Sequence, residues 1–213
     1  WKIRRGDHVV YVLGTTSPLP KRMMFRSREL ESVLAEASLF IPTRPAVDVK
    51  AGPIRLVRLY RDWRKLRLNP GGAGLEEVLA PALYARFSAA RQRFAPRDPK
   101  MEKLRPLIAA GEIYEAAIKG SGLALNSDVA GQVRKLARRA GVPTWEAEQR
   151  VDDPQALLAE IGRVSPAAEQ ACLATTLTRI EQDLPSMRAR AMAWAIGDVE
   201  ALRSQAASEQ LDA

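Results

Sequence analysis

The chain has 213 residues, a net charge of +8 and an isoelectric point near 10.0. That length can bury a full core without covalent staples, and with one Cys (Cys172) and one His (His8) the chain makes no internal disulfide and no zinc site of imidazole and thiolate. No apolar run approaches the roughly 20 residues of a membrane span. The positive charge fits an anionic partner, nucleic acid or a membrane surface, but no nucleic-acid-binding motif accompanies it, which argues against a nucleic-acid partner and favours a plain Arg-rich, Ala-rich composition.

Residues 1–4 and 9–13 are predicted strands joined at Arg5-Gly6-Asp7, with Gly6-Asp7 a tight turn. The second, Val9-Val10-Tyr11-Val12-Leu13, is β-branched and aromatic and bounded by turn formers, the signature of a buried strand. It ends at Gly14-Thr15-Thr16-Ser17. Ligands of α/β proteins sit beyond the carboxyl ends of strands, so Gly14, Thr15 and Ser17 are the candidate ligand-binding residues. Gly14 marks a sharp turn or a close approach. The competing reading is a polar loop that satisfies its own backbone.

Ser27 caps a predicted helix with Glu29 and Glu31 in its first turn and Leu30, Val33, Leu34 and Ala37 on one face. Leu39-Phe40-Ile41 then reads as the next strand of a βαβ unit, stopped by Pro42. In residues 54–68, Arg55, Arg58, Arg61, Arg64 and Arg67 recur every third residue. Such a step turns about 300° on an α-helix, so the arginines wind around it. The segment reads as a strand followed by a helical turn. One functional reading is a basic patch with interleaved aromatics; the other is a solvated edge whose arginine stems cover apolar surface.

Residues 69–74 form a Gly-rich connector whose spacing matches neither the P-loop nor the dinucleotide fingerprint. The chain is mainly helical beyond it. A helix over 75–94 is kinked or split by Pro81, residues 95–99 break the pattern, and another helix covers 103–119. Ser127 or Asp128 caps a helix with Val129, Val133, Leu136 and Ala137 inward, ended by Gly141. Residues 142–146 read as a short strand ending in the carboxylate of Glu146. Asp153-Pro154 and Ser165-Pro166 are cap-then-proline helix starts. Pro185 opens a helix holding Met187, Met192 and Trp194 as core residues, and Gly197-Asp198 restarts it. No strand is predicted from residue 149 onward.

Three blocks in order carry a family resemblance. Trp1-Lys2-Ile3, Tyr11-Val12-Leu13-Gly14-Thr15 and Leu19-Pro20-Lys21, with the helix over 29–37, resemble the opening of the TraB/GumN family, which includes the Tiki proteins. The helix over 128–141, then Val142-Pro143, Trp145-Glu146 and Gln149, is similar to its helix, strand, glutamate and glutamine series. Trp194-Ala195-Ile196-Gly197-Asp198 is similar to its Trp-x-x-Gly-Asp element. The resemblance implies an α/β (α+β-like) fold related to the erythromycin esterase and ChaN-like proteins: a central mixed β-sheet with a large helical component. It implies a single domain over 1–213, with 75–140 as a helical insertion or cap, and a domain that continues past Ala213. It also implies an exported protein, periplasmic or secreted. The start at Trp1 fits either a removed signal peptide or a trimmed chain.

Tiki members of the family are divalent-metal-dependent proteases, and members carry a Gly-x-x-His motif after the first long strand. Here that motif reads Gly14-Thr15-Thr16-Ser17, so Ser17 replaces the histidine. A glutamate that members place after the second strand is replaced within Ile41-Pro42-Thr43, while Glu146 is retained. A hydrolytic metal needs about three protein ligands and an open position. A neutral hydroxyl holds a divalent ion weakly beside imidazole or carboxylate. A nucleophilic Ser17 needs a base within reach, and His8 lies before the strand that Ser17 follows. The resemblance thus implies a non-catalytic member that binds a ligand or protein partner in the old cleft, with no cofactor. The alternative is a metal-dependent hydrolase or peptidase in which Glu146 is the catalytic residue and a ligand of Mn or a similar divalent ion. The second alternative is a basic-surface binder of nucleic acid or acidic polymer. Against a site role, Glu146 reads as a strand-end carboxylate paired with an arginine.

Overall fold

The computed structural model describes residues 1–21, 23, 27–42, 46–49, 52–125 and 129–211, with side chains left undescribed at 46–49 and 206–211. It is the helix-rich α+β fold that the resemblance implies. Its described strands pair two by two in three separate small sheets, so the central mixed sheet of the expectation does not form among the described residues. The chain divides into two compact units, each assembled from separated stretches. The first comprises 1–46, 122–148 and 186–213; the second comprises 47–121 and 149–185.

In the first unit, β1 (Lys2–Arg5) and β2 (His8–Tyr11) form an antiparallel hairpin with Ile3 opposite Val10 and Arg5 opposite His8. The turn falls at Gly6-Asp7, as the sequence predicts. The burial does not follow the prediction: every residue of both strands is exposed. Apolar content marks a strand but does not supply a layer to bury it, and the hairpin pairs with no third strand among the described residues. Beyond it, β3 (Leu19–Pro20) pairs antiparallel with β5 (Leu123–Ala124), and Leu19 and Leu123 are buried. Two-residue strands carry no period to read, so neither was predicted.

Helix α1 (Arg28–Glu36) begins after Ser27, whose carbonyl accepts from Glu31 N at 2.8 Å while its hydroxyl donates to the Glu31 carboxylate at 2.5 Å. Leu34 packs with Ala137 and Val142 in a small core, against which Leu30, Ala37, Phe40 and Leu136 lie. Helix α6 (Val129–Arg139) supplies Ala137 and also buries Val129 and Val133, the predicted inward face; its predicted caps, Ser127 and Asp128, lie outside the described residues. The predicted strands around Phe40 and Thr144 meet in one parallel bridge, in which Phe40 N donates to Pro143 O and Trp145 N donates to Phe40 O, each at 2.9 Å. Helix α9 (Leu184–Ile196) buries Met187 but leaves Met192 exposed, so only the first of those methionines belongs to a core. Gly197, with φ of +80°, turns the chain, and the Asp198 carboxylate caps α10 (Val199–Leu211) by accepting from Ala201 N at 3.0 Å.

The second unit holds the larger core. Residues 54–68 do not form a strand and a turn: Pro53 opens one continuous helix, α2 (Pro53–Leu66). A fixed three-residue spacing of arginine is compatible with a helix when only part of its circumference is buried. Pro81 splits the next segment into α3 (Leu75–Val78) and α4 (Pro81–Phe94), and Pro106 opens α5 (Pro106–Gly120). Helices α7 (Pro154–Gly162) and α8 (Pro166–Gln182) start where predicted. The Asp153 carboxylate accepts from Gln155 N and Ala156 N, each at 3.2 Å, and Ser165 Oγ accepts from Ala168 N at 3.3 Å. Two strands escaped prediction: β6 (Glu148–Val151), polar and without alternation, and its partner β4 (Ala46–Val49). Phe87, Ile113, Leu173 and Leu177 are fully buried where α4, α5 and α8 meet, each contributing about 1.5–3 kcal/mol by removal from water.

One charged pair sits in this packing. Glu169, only 3% exposed, faces Arg105 at the residue before α5, and the same guanidinium donates to Val164 O at 3.4 Å. Elsewhere, the neighbouring Glu102 carboxylate and, after it, partial burial raise the Tyr84 phenol above its usual 10.0.

Removing one member of the buried pair strands the other charge. Arg105→Ala should cost about 3–5 kcal/mol of unfolding free energy in urea, and Arg105→Met with Glu169→Leu clearly less; equal losses would show the pair to be inert. Because the folded Tyr84 holds its proton above the unfolded value, its contribution is complete below about pH 10 and is lost as pH rises through the folded value. Alkaline thermal melts should show that extra loss in the wild type and not in Tyr84→Phe.

Candidate functional site

The site begins where the hairpin ends. Trp1 and Val12 continue the β1–β2 ladder by one step: the Trp1 ammonium donates to Val12 O at 2.7 Å, and Val12 N donates to Trp1 O at 2.8 Å. This lays the Trp1 indole over Gly14. A Cβ at Gly14 would stand 2.5 Å from Trp1 Cζ3 and 2.8 Å from Cη2. The close approach expected at this glycine is therefore an indole of the chain itself. A second indole holds the same residue, as Trp194 Nε1 of α9 donates to Gly14 O at 3.0 Å. Two of the blocks singled out in the sequence thus meet, and the Trp-x-x-Gly-Asp element acts through all three of its named residues.

Ser17 is anchored differently. Its hydroxyl donates to Leu125 O at 2.8 Å, and Pro18 and Leu19 behind it are buried. The hydroxyl ties the loop to the segment after β5, which goes further than a loop satisfying its own backbone. Thr15 is exposed. His8 sits beside the hairpin turn, at the far end of β2 from Gly14, so no imidazole stands by Ser17 to act as its base.

Glu146 follows the Thr144 bridge and is half-buried. Arg134 on α6 approaches it with Nε 3.0 Å from Oε1. The N–H points off that line, since Arg134 Nε makes no hydrogen bond, so the contact is a charge pair. Among the described residues no hydrogen bond or ion pair joins Glu146 to Gly14, Thr15 or Ser17. The structure therefore joins Gly14 and Ser17 to Trp194 and Leu125, and Glu146 to Arg134. Sequence reasoning missed Arg134 and Leu125. Arg134 projects from a helix of otherwise ordinary basic residues, and Leu125 serves through its carbonyl, which no sequence pattern marks.

The sequence profile of the TraB/PrgY/gumN family matches residues 1–213. The chain belongs to this family. No curated protein and no solved structure matches it. The hydrolase alternative calls for a divalent metal, and the described residues of this TraB/PrgY/gumN chain offer it a poor set of donors. Among the described residues no group of three or more His, Cys, Asp and Glu side chains gathers to hold a cation. Glu146 already faces a guanidinium, and the position of the motif histidine holds a hydroxyl committed to a carbonyl.

If Trp1 is the reason for glycine at position 14, Gly14→Ala should cost about 1–3 kcal/mol. The same change in a Trp1→Ala background should cost much less. Chemical denaturation of the four proteins measures the coupling, and an unchanged cost in the second background would remove the claim. Trp194→Phe should lose about 1 kcal/mol, the worth of one neutral hydrogen bond.

Proposed function

We propose that this TraB/PrgY/gumN chain acts by binding a ligand or protein partner beside the Gly14–Ser17 loop, and not by metal-dependent hydrolysis. The observation that carries the reading is the use made of the two positions best placed for chemistry. Ser17 spends its hydroxyl on Leu125 O, and Glu146 spends its charge on Arg134. A carboxylate beside a fixed guanidinium is a poor metal ligand, because a divalent ion placed there is repelled by the neighbouring cation. A serine without a base is a poor nucleophile. What the loop offers instead is recognition chemistry. It exposes the Thr15 hydroxyl and the broad face of Trp1 beside a backbone held by Trp194. An indole and a hydroxyl on a fixed loop suit a ligand with one apolar and one polar edge. An exported location belongs to the same proposal.

Metal content by mass spectrometry, on protein purified without chelators or an affinity metal, tests this directly. The expected result is no stoichiometric divalent metal and no Mn-dependent cleavage of a peptide library. Glu146→Ala should alter stability by about 1 kcal/mol or less, as expected for a half-exposed pair. Stoichiometric metal that disappears in Glu146→Ala, together with metal-dependent cleavage, would restore the hydrolase and overturn the proposal.

A further inference from the structure

Helix α2 divides its circumference unequally. At 100° per residue, Leu59, Trp63 and Leu66 share one side. These three are half-buried, and Leu66 Cδ1 lies 3.1 Å from where a Cβ would stand on Gly162 of α7. The opposite side carries Ile54, Val57 and Tyr60, which are 80%, 70% and 64% exposed. Successive steps of three place them side by side over about 9 Å of helix. Arg58, Arg61, Arg64 and Lys65 interleave with them. The helix has a single acidic residue, Asp62, which turns toward the half-buried side and lies 3.8 Å from Arg61. Arg55 is set apart, as it donates to Gln155 Oε1 at 2.9 Å and to Asp153 Oδ1 at 3.2 Å. No carboxylate pairs with Arg58, Arg64 or Lys65 among the described residues.

We propose that this outward face of α2 docks on an anionic lipid bilayer surface. The face joins two chemistries that water satisfies poorly together: contiguous aliphatic and aromatic tips, and cations of which Arg58, Arg64 and Lys65 have no counter-charge among the described residues. A leaflet boundary takes both, because apolar tips enter the acyl margin while guanidinium and ammonium heads stay among lipid phosphates at the ends of flexible stems. Single-stranded nucleic acid would use the same cations, but it rewards stacked aromatics. Of the three exposed apolar residues here only Tyr60 offers a base a ring to stack on, while Ile54 and Val57 offer none. No described helix is long and apolar enough to cross a membrane, so the contact is interfacial. It is independent of any ligand at the Gly14 loop.

Vesicle flotation with the full chain tests it, using phosphatidylcholine vesicles with and without phosphatidylglycerol. The chain should float with the anionic vesicles only, and less so as salt rises. Arg58→Gln with Arg64→Gln should weaken binding by about fivefold per cation removed. Ile54→Ser with Val57→Ser should weaken it roughly tenfold while leaving the circular dichroism and melting temperature unchanged, since both side chains are exposed. Absence of flotation, equal flotation with neutral vesicles, or indifference to the serine substitutions would overturn the proposal. So would tighter binding to a single-stranded oligonucleotide that the serine variant retains, which would assign the face to nucleic acid.

Discussion

The hydrogen bond from the Trp194 indole to the Gly14 carbonyl spans 180 residues of sequence. The first unit is made of three stretches that share no continuous backbone, so its existence depends on contacts of this kind. Three others complete the assembly: the Ser17 hydroxyl on Leu125 O, the β3–β5 pair, and the parallel bridge between Phe40 and Thr144. Most of these use backbone carbonyls, groups that must be satisfied wherever they are buried. The loop from Gly14 to Ser17 is therefore held at both ends by architecture before any question of ligand arises. Trp1 completes the clamp from the other side, which is why the position between the two indoles carries no side chain.

That arrangement changes what the family's chemical positions can do. In a catalytic site, a hydroxyl or carboxylate is held by partners that leave its reactive atom facing the substrate. Here the reactive atoms themselves are engaged, Ser17 Oγ with a carbonyl and Glu146 Oε1 with a guanidinium. Ser17 and Glu146 serve the fold through these contacts, and the loop exposes Thr15 and Trp1 beside them.

The helices were legible because their signals are local. Pro81, Pro154 and Pro166 each stand at the first helical position, where a missing N–H costs nothing; Pro53 and Pro106 do the same but went unread. The apolar spacing of α1 and α6 likewise gave their buried faces. The errors arose where a local pattern was asked to report a non-local fact. Val9 to Leu13 has the composition of a buried strand, but burial depends on a covering layer that composition does not encode. The arginine period of α2 concealed a helix because a repeat of three was taken as a test of helical faces, when much of that helix faces water. β3, β5 and β6 were too short or too polar to leave a period. Of the candidate site, Gly14 and Ser17 were found from turn chemistry, and Glu146 and the Trp194–Asp198 element from the family resemblance. Their partners Arg134 and Leu125 were invisible, since one is an ordinary basic residue and the other contributes only its backbone.

The division of the chain also orders its assembly in time. A ribosome releases the N-terminus first, and domains fold as their residues become available. Every residue of the second unit precedes Ser186, whereas the first unit needs residues 186–213. The unit that contains residues 1–46 is therefore the later of the two to close. Until Trp194 emerges, the Gly14 carbonyl lacks its indole donor, and the hairpin with its exposed valines waits for that stretch. That interval ends with the arrival of a single tryptophan.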